Sequence, residues 1–234
     1  MSRLLGNFLF WSAEVDSTQD MVLELESDGL SPGILWGADL QKKGRGRRGR
    51  TWVSPEGGLY FSFLIPLGIL PLEIYGFLLP VALIESINKL LSEKNQVHIR
   101  WPNDLVWRGK KLAGVLLEKK GEWIVSGVGV NVEATPSVMN RPVISLRDIG
   151  WKGNKWEVLS LFIDELNLWV ERSPEEIIDR YRGWVEGIPG RWRVQTQEGE
   201  RMVFIRNITD TGMIETDAGV FSYLELIDIE ANHD

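Results

Sequence analysis

The sequence predicts an α+β protein: a sheet flanked by helices, with a small all-β unit after it. Three observations carry the prediction. Residues 105–132 read as three consecutive antiparallel strands, the first two joined by the turn Arg108-Gly109-Lys110. Residues 72–94 and 154–186 carry apolar residues at helical spacing. At Pro189-Gly190 the texture changes to short strand candidates separated by turn signals. That is the pattern of a small β-barrel, and it puts a boundary near 188.

Phe8 to Val15 alternates loosely and reads as a first strand. Asp16 or Ser17 is a good N-cap for a helix of about ten residues. Ile34 to Gln41 is a strand that feeds a loop, and Leu59 to Ile65 is the strand that leaves it after a Gly57-Gly58 turn. In the next stretch Tyr75, Leu79, Ala82, Leu83, Ile87, Leu90 and Leu91 share a helical face, but Pro80 interrupts it. Either the helix kinks there or a new one starts with Pro80 in its first turn; the second reading is preferred, because the missing N–H is harmless there. Val97 to Trp101 is a short strand, ended by Pro102, that presents Asn103 and Asp104. Asn154 to Arg172 and Pro174 to Glu186 read as two helices. Strand candidates 191–195, 202–208, 212–216 and 220–223 follow.

The chain has 234 residues, enough for one good core plus a small second domain. It has no cysteine, so disulfides, thiolate nucleophiles and Cys-ligated metals are excluded. His98 and His233 do not fit a metal site. No apolar run is long enough for a transmembrane helix and no signal-peptide pattern is visible, so no membrane is expected. The absence of cysteine fits a cytoplasmic protein. The net charge is −7. A protein that holds DNA usually spreads basic charge over a face, so no nucleic-acid partner is expected.

The chemistry concentrates between Gln41 and Pro55, Q-K-K-G-R-G-R-R-G-R-T-W-V-S-P. Six of the nine residues from Lys42 to Arg50 are basic and the other three are glycine, on a chain that is otherwise acidic. Glycine lets the backbone approach a ligand, and the arginine fork matches carboxylate and phosphate oxygens. A solvated basic turn or an arginine–glycine tail has the same composition. The strand-like flanks on both sides argue for a loop built into a fold to hold an anion.

Four more motifs stand in order with this loop. They are D-S-T-Q at 16–19, R-W-P-N-D at 100–104, K-L-A-G-V-L-L-E at 111–118 and G-V-G-V-N at 127–131. Together they resemble the biotin–protein ligases, also called biotin–[acetyl-CoA-carboxylase] ligases. The resemblance implies a mixed, largely antiparallel sheet flanked by helices, the biotin/lipoate ligase-like catalytic domain, over 1–188. It implies a small SH3-like β-barrel over 189–234. Too few residues precede Asp16 for the winged helix-turn-helix of some members, so the expectation is the monofunctional type without the DNA-binding domain.

The implied reaction joins the biotin carboxylate to the α-phosphate of ATP, as biotinyl-5′-AMP, and then passes biotin to a lysine of a biotin carboxyl carrier protein. Lys111, Arg45 and Arg47 take the catalytic places. Ser17, Thr18, Gln19, Gln41, Gly44, Arg45, Lys111, Gly114, Gly127 and Gly129 would hold biotin. Arg47, Arg50, Trp52, Asn103, Lys111 and Asn131 would hold the nucleotide, with Trp52 stacked on adenine. Mg²⁺ is implied by ATP, with no ligand set visible. Relatives also dimerise through sheet edges, so a homodimer is admitted. Three positions depart from the common pattern: Gln19 for asparagine, Arg100 for lysine, and Glu133 for asparagine, which adds a negative charge near the nucleotide site. The nearest rival is a lipoate–protein ligase. The ureido ring of biotin needs buried polar partners, whereas a dithiolane would leave Ser17, Thr18 and Gln41 unpaired, which favours biotin. A protein that merely retains biotin or nucleotide is the rival from outside enzymology.

Overall fold

The computed structural model describes residues 4–27, 33–137, 142–196, 199–222 and 227–231. Eight strands form one mixed sheet: β1 (Phe8–Val15), β2 (Ile34–Gln41), β3 (Leu59–Pro66), β4 (His98–Arg100), β5 (Asp104–Trp107), β6 (Lys110–Lys120), β7 (Trp123–Val130) and β8 (Val185–Glu186). Their order is β1-β2-β3-β7-β6-β5-β4-β8. The two outermost pairs, β1–β2 and β4–β8, are parallel and the pairs between them antiparallel.

The helices are α1 (Thr18–Ser27), α2 (Tyr75–Asn88), α3 (Lys155–Trp169) and α4 (Pro174–Trp184). Helix α1 packs on β2, β3 and β7, over the small apolar group Val22, Leu64 and Val125. Helices α3 and α4 both pack on α2, with the main core between the helices and the strands. Phe162 of α3 sits at the centre of that core, its ring 5.1 Å from Phe61 and 5.9 Å from Phe63. The starts of α3 and α4 are fixed by sequence. Asn154 and Ser173 each close a capping box with a glutamate three residues on, Glu157 and Glu176.

Helix α2 corrects the sequence reading. It does not begin at Pro80 but runs through it, entered by a 3-10 turn at Leu72–Ile74. Pro80 removes one backbone hydrogen bond, which disfavours the helix interior. Nearly every side chain from Tyr75 to Ile87 is buried, and packing on all sides outweighs that local preference.

After Ile188-Pro189 the chain forms β9 (Gly190–Thr196), β10 (Gly199–Ile208), β11 (Met213–Thr216), β12 (Gly219–Ser222) and β13 (Ile227–Ala231). They make a five-stranded antiparallel sheet in the order β12-β11-β10-β9-β13. The sequence reading had no fifth strand; β13 is recognised by its pairing with β9. This sheet shares its buried residues with the main body. Trp192 meets Trp101 edge-on at 6.1 Å, and Val194, Val203, Ile205 and Ile214 continue the same core. Arg182 of α4 donates to the Ile208 carbonyl at 2.7 Å, and the Tyr181 hydroxyl donates to the Pro102 carbonyl at 2.9 Å.

Truncating Phe162 removes the ring that joins α3 to β3. Phe162→Ala should lower the unfolding free energy by about 3–5 kcal/mol, read from urea denaturation. A loss under about 1 kcal/mol would mean that the core is not centred there.

Candidate active site

The site begins with missing side chains. Gly114 on β6 and Gly129 on β7 are direct register partners, so the middle of the sheet carries two bare backbones side by side. The indole of Trp52 fills the space: a Cβ on Gly129 would stand 2.5 Å from its ring, and one on Gly114 3.1 Å. Gly127, two residues back on β7, gives the same room to Gln19, whose carboxamide carbon would be 3.2 Å from an added Cβ. Around these glycines opens a cavity of about 720 Å³.

Ser17, Thr18, Gln19, Gln41, Arg45, Arg47, Arg50, Trp52, Asn103, Lys111, Gly114, Gly127, Gly129 and Asn131 line this cavity. Gly44 is brought near but lies beneath the wall. An added Cβ there would strike the Trp52 carbonyl at 2.4 Å and the Ser54 hydroxyl at 2.6 Å, so its role is to let the loop close. The loop is folded as a short ladder, with bridges Gln41–Ser54 and Arg45–Thr51 and a 3-10 turn at Arg47–Gly49. Its positive charge divides. Lys42 and Lys43 turn outward to Glu14 and Asp16, the latter at 2.7 Å. Arg45, Arg47 and Arg50 face the cavity.

One end of the cavity is neutral and polar. The Thr18 N–H and hydroxyl both donate to Gln41 Oε1, at 2.9 and 3.1 Å. The Thr18 and Ser62 hydroxyls lie 2.7 Å apart, and Gln41 Nε2 donates to Ser54 Oγ at 2.9 Å. Sequence reasoning missed Ser62 and Ser54. The signal for Ser62 was present: it is the lone small polar residue in the apolar strand L-Y-F-S-F-L-I-P.

The other end is ionic. Lys111 Nζ lies 2.6 Å from Asp104 Oδ1, and Arg100 Nη2 lies 3.3 Å from Asp104 Oδ2. Burial pushes the Asp104 carboxyl up, but Lys111 and then Arg100 outweigh it and hold it below the ordinary carboxylate value. Asp104 was visible in the R-W-P-N-D motif yet had no assigned part in the site. Arg47 Nη1 donates to Asn103 Oδ1 at 3.3 Å, and Arg45 Nη1 pairs with Asp20 at 2.5 Å. Lys111 Nζ also stands 4.8 Å from the centre of the Trp52 ring. Glu133 is paired with Arg147 at 3.6 Å, and its charge is met outside the cavity wall.

Gln19 Nε2, Trp52 Nε1 and Asn131 Oδ1, buried polar atoms on the cavity wall, have no hydrogen-bond partner among the described residues. Such atoms are costly when left unmet, so they mark where a ligand's polar groups belong. Asn131 shows how its amide is aimed: Nδ2 donates to the Ile144 carbonyl at 3.0 Å, which turns Oδ1 the other way. Among the described residues no three His, Asp or Glu side chains stand together to hold an ion. Asp104 is already committed to two cations. The described residues therefore form no all-protein cage for a cation.

The sequence matches the Biotin/lipoate A/B protein ligase family over residues 11–133. The chain belongs to this family. It is 30% identical to the biotin–[acetyl-CoA-carboxylase] ligase of Mycobacterium tuberculosis, over 88% of this chain and 82% of that one. It is 34% identical to the bifunctional ligase/repressor BirA of Escherichia coli, over 71% of this chain and 54% of the relative. In three dimensions it is similar to the Aquifex aeolicus biotin protein ligase in complex with biotin and ATP. That likeness has a TM-score of 0.83 at 27% identity and covers 97% of this chain and 100% of the other. The family fold, a large mixed sheet with helices, is the one described above.

Asp104 gives the site a pH signature. Its value is lower folded than unfolded, so its contribution to stability is complete above the ordinary value of 3.8 and is lost as pH falls through the folded value. Asp104→Asn leaves two cations without their counter-charge and should cost roughly 2 kcal/mol at pH 7. In urea titrations the gap between variant and wild type should begin to close only below pH 3.8. A gap that closes between pH 5 and 7 (about one to three units higher) would contradict the assignment.

Proposed function

We propose that the protein activates biotin with ATP as biotinyl-5′-AMP and transfers it to a lysine of a biotin carboxyl carrier protein. The observation that carries this reading is the cavity's polarity. A neutral pocket at Thr18, Gln41 and Ser62 opens onto the cations Lys111, Arg45, Arg47 and Arg50.

In the first step a biotin carboxylate oxygen attacks the α-phosphorus of ATP. The bond to the bridging β-phosphate oxygen breaks, and pyrophosphate leaves with the electron pair. Two anions about 4 Å apart repel by about 4 kcal/mol at the effective dielectric of a protein surface. Lys111 and the loop arginines offset this by placing fixed positive charge between them. Asp104 holds the Lys111 ammonium on that spot. In the second step the amine of the carrier lysine attacks the acyl carbon of the mixed anhydride and loses a proton, and AMP leaves. Ser17, Thr18, Gln41 and Ser62 suit a ureido ring, with Gln19, Gly127 and Gly114 beside it. Trp52, Asn103 and Asn131 suit the nucleotide. The acceptor Oδ1 of Asn131 fits a donor such as the adenine amino group. Magnesium would arrive on the polyphosphate.

We take 1–188 as the catalytic domain and 189–234 as the SH3-like unit of the family, and a homodimer as an available assembly. Lipoate is the second reading, since the family takes its name from both acids. Gln19 Nε2, buried beside the neutral pocket with no partner among the described residues, favours biotin, because an apolar dithiolane would leave it unmet.

Pyrophosphate exchange into ATP, run with biotin, with lipoate and with neither, tests the reading. Exchange is expected with biotin alone; exchange with lipoate alone would move the protein to the sister activity, and exchange with neither would leave only a binding protein. Lys111→Ala should lower the biotin-dependent rate about a thousandfold. Arg47→Ala should release the adenylate into solution, where rapid filtration would find it; full retention would remove that arginine from the wall that closes on the product.

A further inference from the structure

The β5–β6 turn keeps an unfavourable residue beside the site. Arg108 has a φ of 47°, and among the described residues it alone has positive φ without being glycine; Gly109 follows at 75°. Two successive left-handed residues make the tight hairpin turn that Asn-Gly usually fills, since a Cβ is disfavoured there. The turn is open: an added Cβ on Gly109 would meet nothing within 4 Å. Arg108 is exposed, with its guanidinium 4.4 Å over the Trp107 ring, and Lys110 beside it is exposed too. The next residue is Lys111, the ammonium of the cavity. At about 3.3 Å per residue the tip of the turn stands roughly 10 Å along the chain from Lys111. Among the described residues neither Arg108 nor Lys110 enters an ion pair. The acid that feels Lys110 is Asp148, which is itself held by Thr135 and Ser145. The hairpin is thus a cationic prong on a chain of net charge −7.

Strained backbone that persists at an exposed position beside a site points to a task that the easier residue would not perform. We propose that Arg108 and Lys110 dock the acceptor protein by an acidic patch next to its target lysine. The proposal rests on the ligase reading above. The target amine must reach an anhydride held at Lys111, so the acceptor has to touch the rim on which Lys111 sits. An acidic acceptor is repelled by the net charge of the body and drawn to the prong, which sets orientation as well as attraction. Glycine at position 108 would relax the turn and lose the charge.

The test uses an unmodified carrier domain with acidic residues flanking its acceptor lysine, and the same domain with those acids changed to amides. Arg108→Gly should lower kcat/KM for the acidic carrier about fivefold, and Arg108→Glu with Lys110→Glu about thirtyfold, both through KM. The loss should shrink at high salt and vanish with the amide carrier. Biotin-dependent pyrophosphate exchange should stay within about twofold of wild type, and the Tm of Arg108→Gly should be equal or higher. Unchanged carrier kinetics in both variants would overturn the proposal. A lower Tm in Arg108→Gly, with exchange and transfer falling together, would also overturn it, because the arginine would then serve the fold. A wild type that exchanges no pyrophosphate with biotin would fail the ligase reading itself, a result seen before any carrier is added.

Discussion

The cavity exists because two neighbouring strands carry no side chains where they face each other. Gly114 and Gly129 are paired in register, and no residue with a Cβ could occupy Gly129 without driving Trp52 away. Everything else in the site is placed relative to that bare patch. Trp52 lies on it, Gln19 lies over Gly127 beside it, and the loop can close only because Gly44 lets the Trp52 carbonyl and the Ser54 hydroxyl approach. A β-sheet buried on both faces normally fills its centre with branched side chains. Here the opposite face does so, with Leu112, Ala113, Val115, Val128 and Val130 in the main core, and the site face is left hollow.

Charge is the second constraint. Positive groups crowded at a cavity repel one another and invite water, and three of them are tied down before any ligand arrives. Lys111 is held by Asp104, Arg45 by Asp20 and Arg47 by Asn103. Such pairs are weak sources of stability, because desolvation offsets much of the attraction. Their value is positional: the ammonium and guanidinium groups stand at fixed points, and a ligand need not spend its binding energy ordering them. The neutral end is ordered by the same logic, through the chain of bonds from Ser62 through Thr18 and Gln41 to Ser54.

Much of this was legible in the sequence, for identifiable reasons. Strands β1, β2 and β3, the β5–β6 hairpin and the helix boundaries at Asn154 and Ser173 follow from alternation, turn residues and caps, all of them local signals. The site residues were readable because glycine and arginine are uncommon in such density and the motifs keep their order. What was not legible depends on the third dimension. Pro80 was read by its local rule, and burial on all sides overrode it. Strand β13 has only five residues and shows itself through pairing. Ser54, Ser62, Asp20 and Asp104 carry little signal singly; their meaning comes from partners 13 to 44 positions distant or on a neighbouring strand.

The loop that carries Asn103 and Asp104 is gripped from behind. The Tyr181 hydroxyl holds the Pro102 carbonyl, and Trp101 is wedged edge-on against Trp192 of the C-terminal sheet. Among the described residues no part of the cavity wall comes from beyond Val143. The last third of the chain therefore acts on the site as a buttress. Its rigidity reaches the lysine and its counter-ion through that peptide plane, that pair of indoles and the pairing of β8 with β4, so slack introduced far from the chemistry would be felt first as a wandering charge.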